Sequence, residues 1–166
     1  MAALRVGMKS MKIRINGNNK VLSNSEIRSY VKWLGMMLMS KRLLKNIFID
    51  VNIKSLKGAK ATACFLDERR LPREFEIELS LKLGRNELLK ALAHEMVHVK
   101  QYATGELFQY SIGGAGHRYQ GKKYSANMEY YDCPWEIEAY GREVGLYRLY
   151  LQQKQWFKHH QKKNSS

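Results

Sequence analysis

The sequence predicts an α+β domain, and three observations carry that prediction. Apolar and polar residues alternate in MKIRIN (11–16), NIFIDVNIK (46–54) and EFEIELSLKL (74–83), the two-residue period of half-buried strands. Apolar residues recur at helical spacing in SNSEIRSYVKWLGMMLMSKRLLK (23–45) and NELLKALAHEMVHVKQYATG (86–105). A last helix is expected over 134–157, opened by Pro134, since proline suits the first helical turn. The expected order is an N-terminal helix, a small and mostly antiparallel sheet, a long central helix and a C-terminal helix.

Each element has a local reason. MKIRIN turns at NGNN (16–19). Ser23 and Glu26 have capping-box spacing, and Ile27, Val31, Leu34 and Leu38 share one helical face. Met36, Met37 and Met39 are expected to fill core or groove space. Ile47, Ile49, Val51 and Ile53 share one strand face, and ATACFLD (61–67) is a further strand, joined to 74–83 by the polar ERRLPR. In 74–83, Phe75, Ile77, Leu79 and Leu81 point one way. Glu74, Glu76 and Glu78 point the other, as a solvated face or one that pairs with the basic N-terminal arm. Asn86 is expected to cap the central helix and Gly105 to stop it. Residues 106–133 read as irregular, with GGAG at 113–116 and several tyrosines. One domain is expected over 1–158, with a disordered polar, basic tail over 159–166.

Composition narrows the class. A chain of 166 residues, 45% apolar, suits a single core. No run of 18 apolar residues occurs, so no membrane span is expected, and the N-terminal stretch lacks the apolar segment of a secretory signal. Cys64 and Cys133 form no CxxC pair and read as reduced thiols in a cytoplasmic protein. The net charge of +14 is concentrated early: residues 1–60 carry 13 Lys/Arg against Glu26 and Asp50. Such a surface either solvates the protein or makes non-specific nucleic-acid contacts.

The chemistry lies in LAHEMVHVKQ (92–101). His94 and His98 stand four apart on the central helix, so both imidazoles reach one ion from one face. Glu95 follows the first histidine, where a carboxylate can take a proton from a zinc-bound water. One Zn²⁺ is the expected cofactor, and a catalytic zinc needs a third protein ligand. The extended metzincin pattern is excluded, because Gln101 and Thr104 stand where it needs Gly and His. The downstream candidates are Glu138, Glu136 and His117. Two residues apart on a helix, the glutamates point to nearly opposite sides, so one face supplies only one of them. Glu138 shares its stripe with Gly141 and Gly145, small residues that permit close helix approach. Glu136 shares its stripe with the bulkier Ala139, Tyr140, Glu143 and Tyr147. This ranks Glu138 first, then Glu136, then His117. Tyr119, Tyr124, Tyr130 and Tyr131 are the candidate oxyanion donors, with His117 beside them, and Trp135 is expected to pack the start of the last helix.

LAHEMVHVKQ followed by YYDCPWEIEAYGREVGLY resembles the small zincin-type metallopeptidases found in tailed-phage genomes, the SprT-like group. The EIEA segment is similar to the ligand-bearing helix of ImmA/IrrE-type peptidases, where the ligand glutamate precedes a small residue, as Glu138 precedes Ala139. GHRYQGKKY lacks the HG dipeptide and following Phe of the Spartan-type third ligand, so the resemblance implies a glutamate there. It covers roughly residues 45–150 and implies a zincin-like (minimal gluzincin) fold that hydrolyses protein or peptide substrates. It also implies a place in a host cell's cytoplasm or in a virion. The competing expectation is a non-catalytic, zinc-containing protein that associates with nucleic acid, or sits in a virion, through its basic surface. A metal-free interaction domain is the third.

Overall fold

The computed structural model describes residues 11–110 and 116–163, with side chains through Trp156. The chain runs β1 (Lys12–Asn16), α1 (Asn24–Leu38), α2 (Lys41–Leu44), β2 (Phe48–Lys54), β3 (Ala61–Phe65), β4 (Glu74–Ser80) and α3 (Arg85–Thr104). Then come β5 (Leu107–Tyr110), β6 (Gly116–Tyr119), β7 (Lys122–Ser125), a 3₁₀ turn (Tyr130–Asp132) and α4 (Pro134–Lys163). The mixed α+β class is as expected. None of the described helices is long and apolar enough to cross a membrane.

The sheet corrects the expectation of mostly antiparallel pairing. Its order is β1-β2-β4-β3; β1 and β4 both pair parallel to β2, and only β3 pairs antiparallel, with β4. The reason is the connections: helices return the chain in its original direction between β1 and β2, and β3, running the opposite way, does so between β2 and β4. β3 is left as an edge.

Ile49, Val51, Ile53, Phe75, Ile77 and Leu79 line the sheet's inner face and join one core with Ile27, Val31 and Leu34 of α1. On the outer face Arg14 pairs with Asp50, Asn52 with Glu76 and Lys54 with Glu78. Glu76 and Glu78 therefore have partners within the sheet. Arg5 and Lys9 of the basic arm lie outside the described residues. Leu81 lies past the end of β4 and is exposed.

α1 is held at its start by the capping box: the Glu26 amide donates to Ser23 Oγ at 3.2 Å, and the Ser23 amide to Glu26 Oε2 at 3.1 Å. Ser23→Ala is expected to lower stability by about 1 kcal/mol, a fall of roughly 2–4 °C in Tm. Thermal unfolding checks this, and an unchanged Tm contradicts it. The helix expected to run through 45 breaks at Met39, which turns extended, and Ser40 caps the separate α2 by accepting from the Leu43 amide. Met39 joins the core, whereas Met36 and Met37 are exposed.

α3 is the central element. Thirteen of its twenty residues are buried, and between Leu88 and Ala103 none is exposed, so His94, Glu95, His98 and Gln101 are enclosed. Gly84, without a side-chain cap, precedes it in place of the expected Asn86, which lies inside the helix. Gly105 ends it at φ 76°, a left-handed position that glycine adopts without penalty. α4 packs along α3 and continues to Lys163, so the tail expected to be disordered from 159 is helical to that point. Residues 164–166 lie outside the described residues.

The segment expected to be irregular holds a second, antiparallel sheet, β5-β6-β7. Gln120 (φ 47°) and Gly121 (φ 84°) make the two-residue turn between β6 and β7; two left-handed residues match the twist of a tight hairpin. Of GGAG, residues 113–115 lie outside the described residues.

Candidate metal centre

His94 and His98 lie one turn apart on α3, 7% and 8% exposed. Their Nε2 atoms are 3.1 Å apart. The third group is Glu136, in the first turn of α4 and 7% exposed. Its Oε2 lies 3.3 Å from His94 Nε2 and 3.4 Å from His98 Nε2. These three residues form a group able to hold a metal ion.

Protonation at the far side of each ring explains why they do. His94 Nδ1 is 3.1 Å from Glu143 Oε2, and a carboxylate only accepts, so Nδ1 carries the proton. His98 Nδ1 is 2.9 Å from Gln101 Oε1, again an acceptor. Both Nε2 atoms then present lone pairs, directed at each other and at a carboxylate oxygen. Glu136 Oε2 is buried and has no hydrogen-bond donor. Three acceptors that converge without a proton between them make a site that a cation can occupy. A tetrahedral ion with bonds of about 2.0–2.1 Å separates its ligands by about 3.3–3.4 Å, and the observed separations fall close to that.

Electrostatics point the same way. Burial disfavours the Glu136 carboxylate, yet His94 and His98 hold its pKa well below the usual range. Burial disfavours charged His98, yet Glu136 holds its pKa above the ordinary value. The cluster attracts positive charge. Glu95, also 7% exposed, is pushed up by burial, against the pull of His98 and His94.

The expectation that Glu138 is the third ligand is corrected by the rotation of α4. Trp135 and Ala139 are buried, which turns the intervening Glu136 stripe toward α3. That stripe, set aside as bulky and charged, builds the centre: the Tyr140 ring lies 4.6 Å from that of His94, and Glu143 accepts from His94. Gly141 and Gly145 mark no close approach, since a Cβ on either would meet nothing within 4 Å. Glu138 instead accepts from Tyr119 at 2.7 Å and Gln101 at 2.9 Å, and pairs with Arg142 at 3.0 Å and Lys100 at 3.1 Å. Burial alone would raise its pKa, but Gln101, Tyr119 and Lys100 hold it down to about 2.

His117 does not reach the centre either. Its ring lies 4.7 Å from that of Trp135, which belongs to a smaller cluster with Leu107 and Cys133. Tyr119 is occupied by Glu138, and Tyr124 packs on Trp135 at 5.8 Å. Tyr130 and Tyr131 do line the cleft of about 600 Å³ that His94 and Glu95 open into. Tyr130 lies against Glu136 and Tyr140; burial first, then Glu136, push its pKa up. Across the cleft run Gly58–Ala61, leading into the edge strand β3. Trp135 packs the start of α4, as expected.

Sequence reasoning missed Glu143, Gln101 and Tyr140. The signal was spacing: Glu143 is seven residues, two turns, from Glu136, and Gln101 three from His98 on the same helix. Glu143→Ala is expected to weaken metal binding about 10–100-fold, the usual cost of losing an outer partner of a ligand histidine. Competition against a chelator of known affinity measures it, and an unchanged affinity contradicts it.

Comparison of the chain with protein-family models, with curated proteins and with solved structures finds no match. Fold and site together define an α+β protein with a buried His-His-Glu group able to hold a metal ion.

Proposed function

We propose that the chain is a zinc-dependent metallopeptidase of the zincin type, with His94, His98 and Glu136 as ligands and Glu95 as general base. The observation that carries this reading is the unpartnered Glu136 Oε2, set at ligand separation from two histidine lone pairs beside the Glu95 cleft. A two-nitrogen, one-oxygen donor set matches the open His₂Glu sites of catalytic zinc. Zinc, when bound, supplies Lewis-acid activation of water and of a substrate carbonyl. Glu95 accepts the proton of the attacking water and hands it to the leaving amine. Tyr130 and Tyr140 border the same cleft, where a phenol O–H can donate to the developing oxyanion. The free edge of β3 offers backbone groups to an extended peptide.

The test is digestion of unfolded casein by the zinc-loaded protein. Cleavage that stops with a chelator and returns with added zinc supports the proposal. A protein that holds one zinc and leaves casein and a mixed peptide library intact overturns it. The +14 charge favours a second reading, a non-catalytic zinc protein on nucleic acid. That reading expects salt-dependent DNA binding with no cleavage.

A further inference from the structure

The carboxylate that does not reach the metal centre is connected to it by one intermediate. We infer that Glu138 is a positioning residue: through the Gln101 amide it holds His98 in the Nδ1–H tautomer, with Nε2 free to bind metal. The inference deepens the metal-centre reading and rests on it.

Gln101 is fully buried, so its amide is satisfied by protein groups. Two acceptors face one end of it: Glu138 Oε2 at 2.9 Å and the Trp135 carbonyl at 3.0 Å. Neither has a proton to give, so the amide NH₂ must lie there, donating to both. Gln101 Oε1 is thereby turned to His98 Nδ1 at 2.9 Å, and that nitrogen must donate. The reversed amide would set its oxygen against two acceptors and its NH₂ against Nδ1. It would favour the Nε2–H tautomer, with a proton where the ion belongs.

Neutral imidazole in water prefers Nε2–H, so the protein works against that preference. A charged acceptor is the strong way to do it, because hydrogen bonds to a carboxylate are about twice as strong as neutral ones. Glu138 is itself fixed from three sides: by Tyr119 on β6, by Lys100 on α3 and by Arg142 one turn along α4. The second sheet thus bears on the metal centre through Tyr119.

The experiment reads the imidazole nitrogens of the full-length, metal-free protein by long-range ¹H–¹⁵N NMR, at a pH where the rings are neutral, beside zinc affinity by chelator competition. Wild type is expected to show His98 as Nδ1–H. Gln101→Met and Glu138→Leu are expected to shift it toward Nε2–H, and Glu138→Gln, which keeps an acceptor oxygen, to restore it in large part. Zinc affinity is expected to fall about 10–100-fold in Gln101→Met and less in Glu138→Leu, where the Trp135 carbonyl still holds the amide. His94, held by Glu143, is the internal control for folding and keeps its tautomer in all three variants. An Nε2–H His98 in wild type, or an Nδ1–H tautomer that persists unchanged in Glu138→Leu, overturns the inference. So does outright loss of zinc in Glu138→Leu with retention in Glu136→Ala, which would make Glu138 a ligand. A tautomer that responds as described in a protein that binds no zinc upholds the relay and removes the metal reading instead.

Discussion

Glu136→Ala is expected to release the metal, and Glu138→Ala to leave it bound. The two residues stand two apart in PWEIEA, and the fold separates their tasks. Glu136 Oε2 lies 3.3 and 3.4 Å from the histidine nitrogens, so its loss removes one of the three proposed ligands. Affinity is expected to fall by more than about 100-fold, beyond what losing an outer partner costs. Glu138 is held by Tyr119, Gln101, Lys100 and Arg142 and acts one residue removed from His98. Its loss weakens binding without abolishing it. Zinc content after dialysis, with affinity by chelator competition, separates the two. Retention in Glu136→Ala would contradict the geometry.

Glu95→Gln is expected to keep zinc at wild-type occupancy and to lower the rate of peptide hydrolysis about 10²–10⁴-fold, the usual contribution of a general base. Glu95 is enclosed on α3 next to His94 and lines the cleft, whereas the ring nitrogens of both histidines are directed to Glu136, Glu143 and Gln101. The amide is nearly the same size, so the packing around it survives. It cannot take a proton. Casein cleavage and zinc content measured on one preparation check both halves. Activity within a few-fold of wild type would remove Glu95 from the proposed chemistry.

The elements that periodicity can report were legible in the sequence. The faces of α1, β2 and β4 follow Ile27–Val31–Leu34, Ile49–Val51–Ile53 and Phe75–Ile77–Leu79. Strand direction was not, because alternation gives the face of a strand and is blind to its sense. The second sheet was hidden for a different reason. LFQY, GHRY and KKYS hold few aliphatic residues, and they associate through backbone pairing and aromatic packing on Trp135.

At the site, the His94-Glu95-His98 spacing was legible because helix geometry alone brings those residues together. Which glutamate joins them depends on how α4 is rotated against α3, a property of the packed pair. Burial of Trp135 and Ala139 sets that rotation. Closeness between the helices comes with Ala139, fully buried on the Glu136 side, and Gly141 and Gly145 face open space. The polar residues of the stripe were therefore the signal, since a metal centre needs partners for the outer nitrogens of its histidines.

His94, His98 and Glu136 are proposed to hold one zinc with a place left for water. X-ray absorption on the zinc-loaded protein tests it most directly. The account predicts one zinc per chain, an inner shell of nitrogen and oxygen only at about 2.0–2.1 Å, and the outer-shell scattering of two imidazoles. A protein that takes up no zinc, or a shell containing sulfur at about 2.3 Å from Cys64 or Cys133, would contradict it.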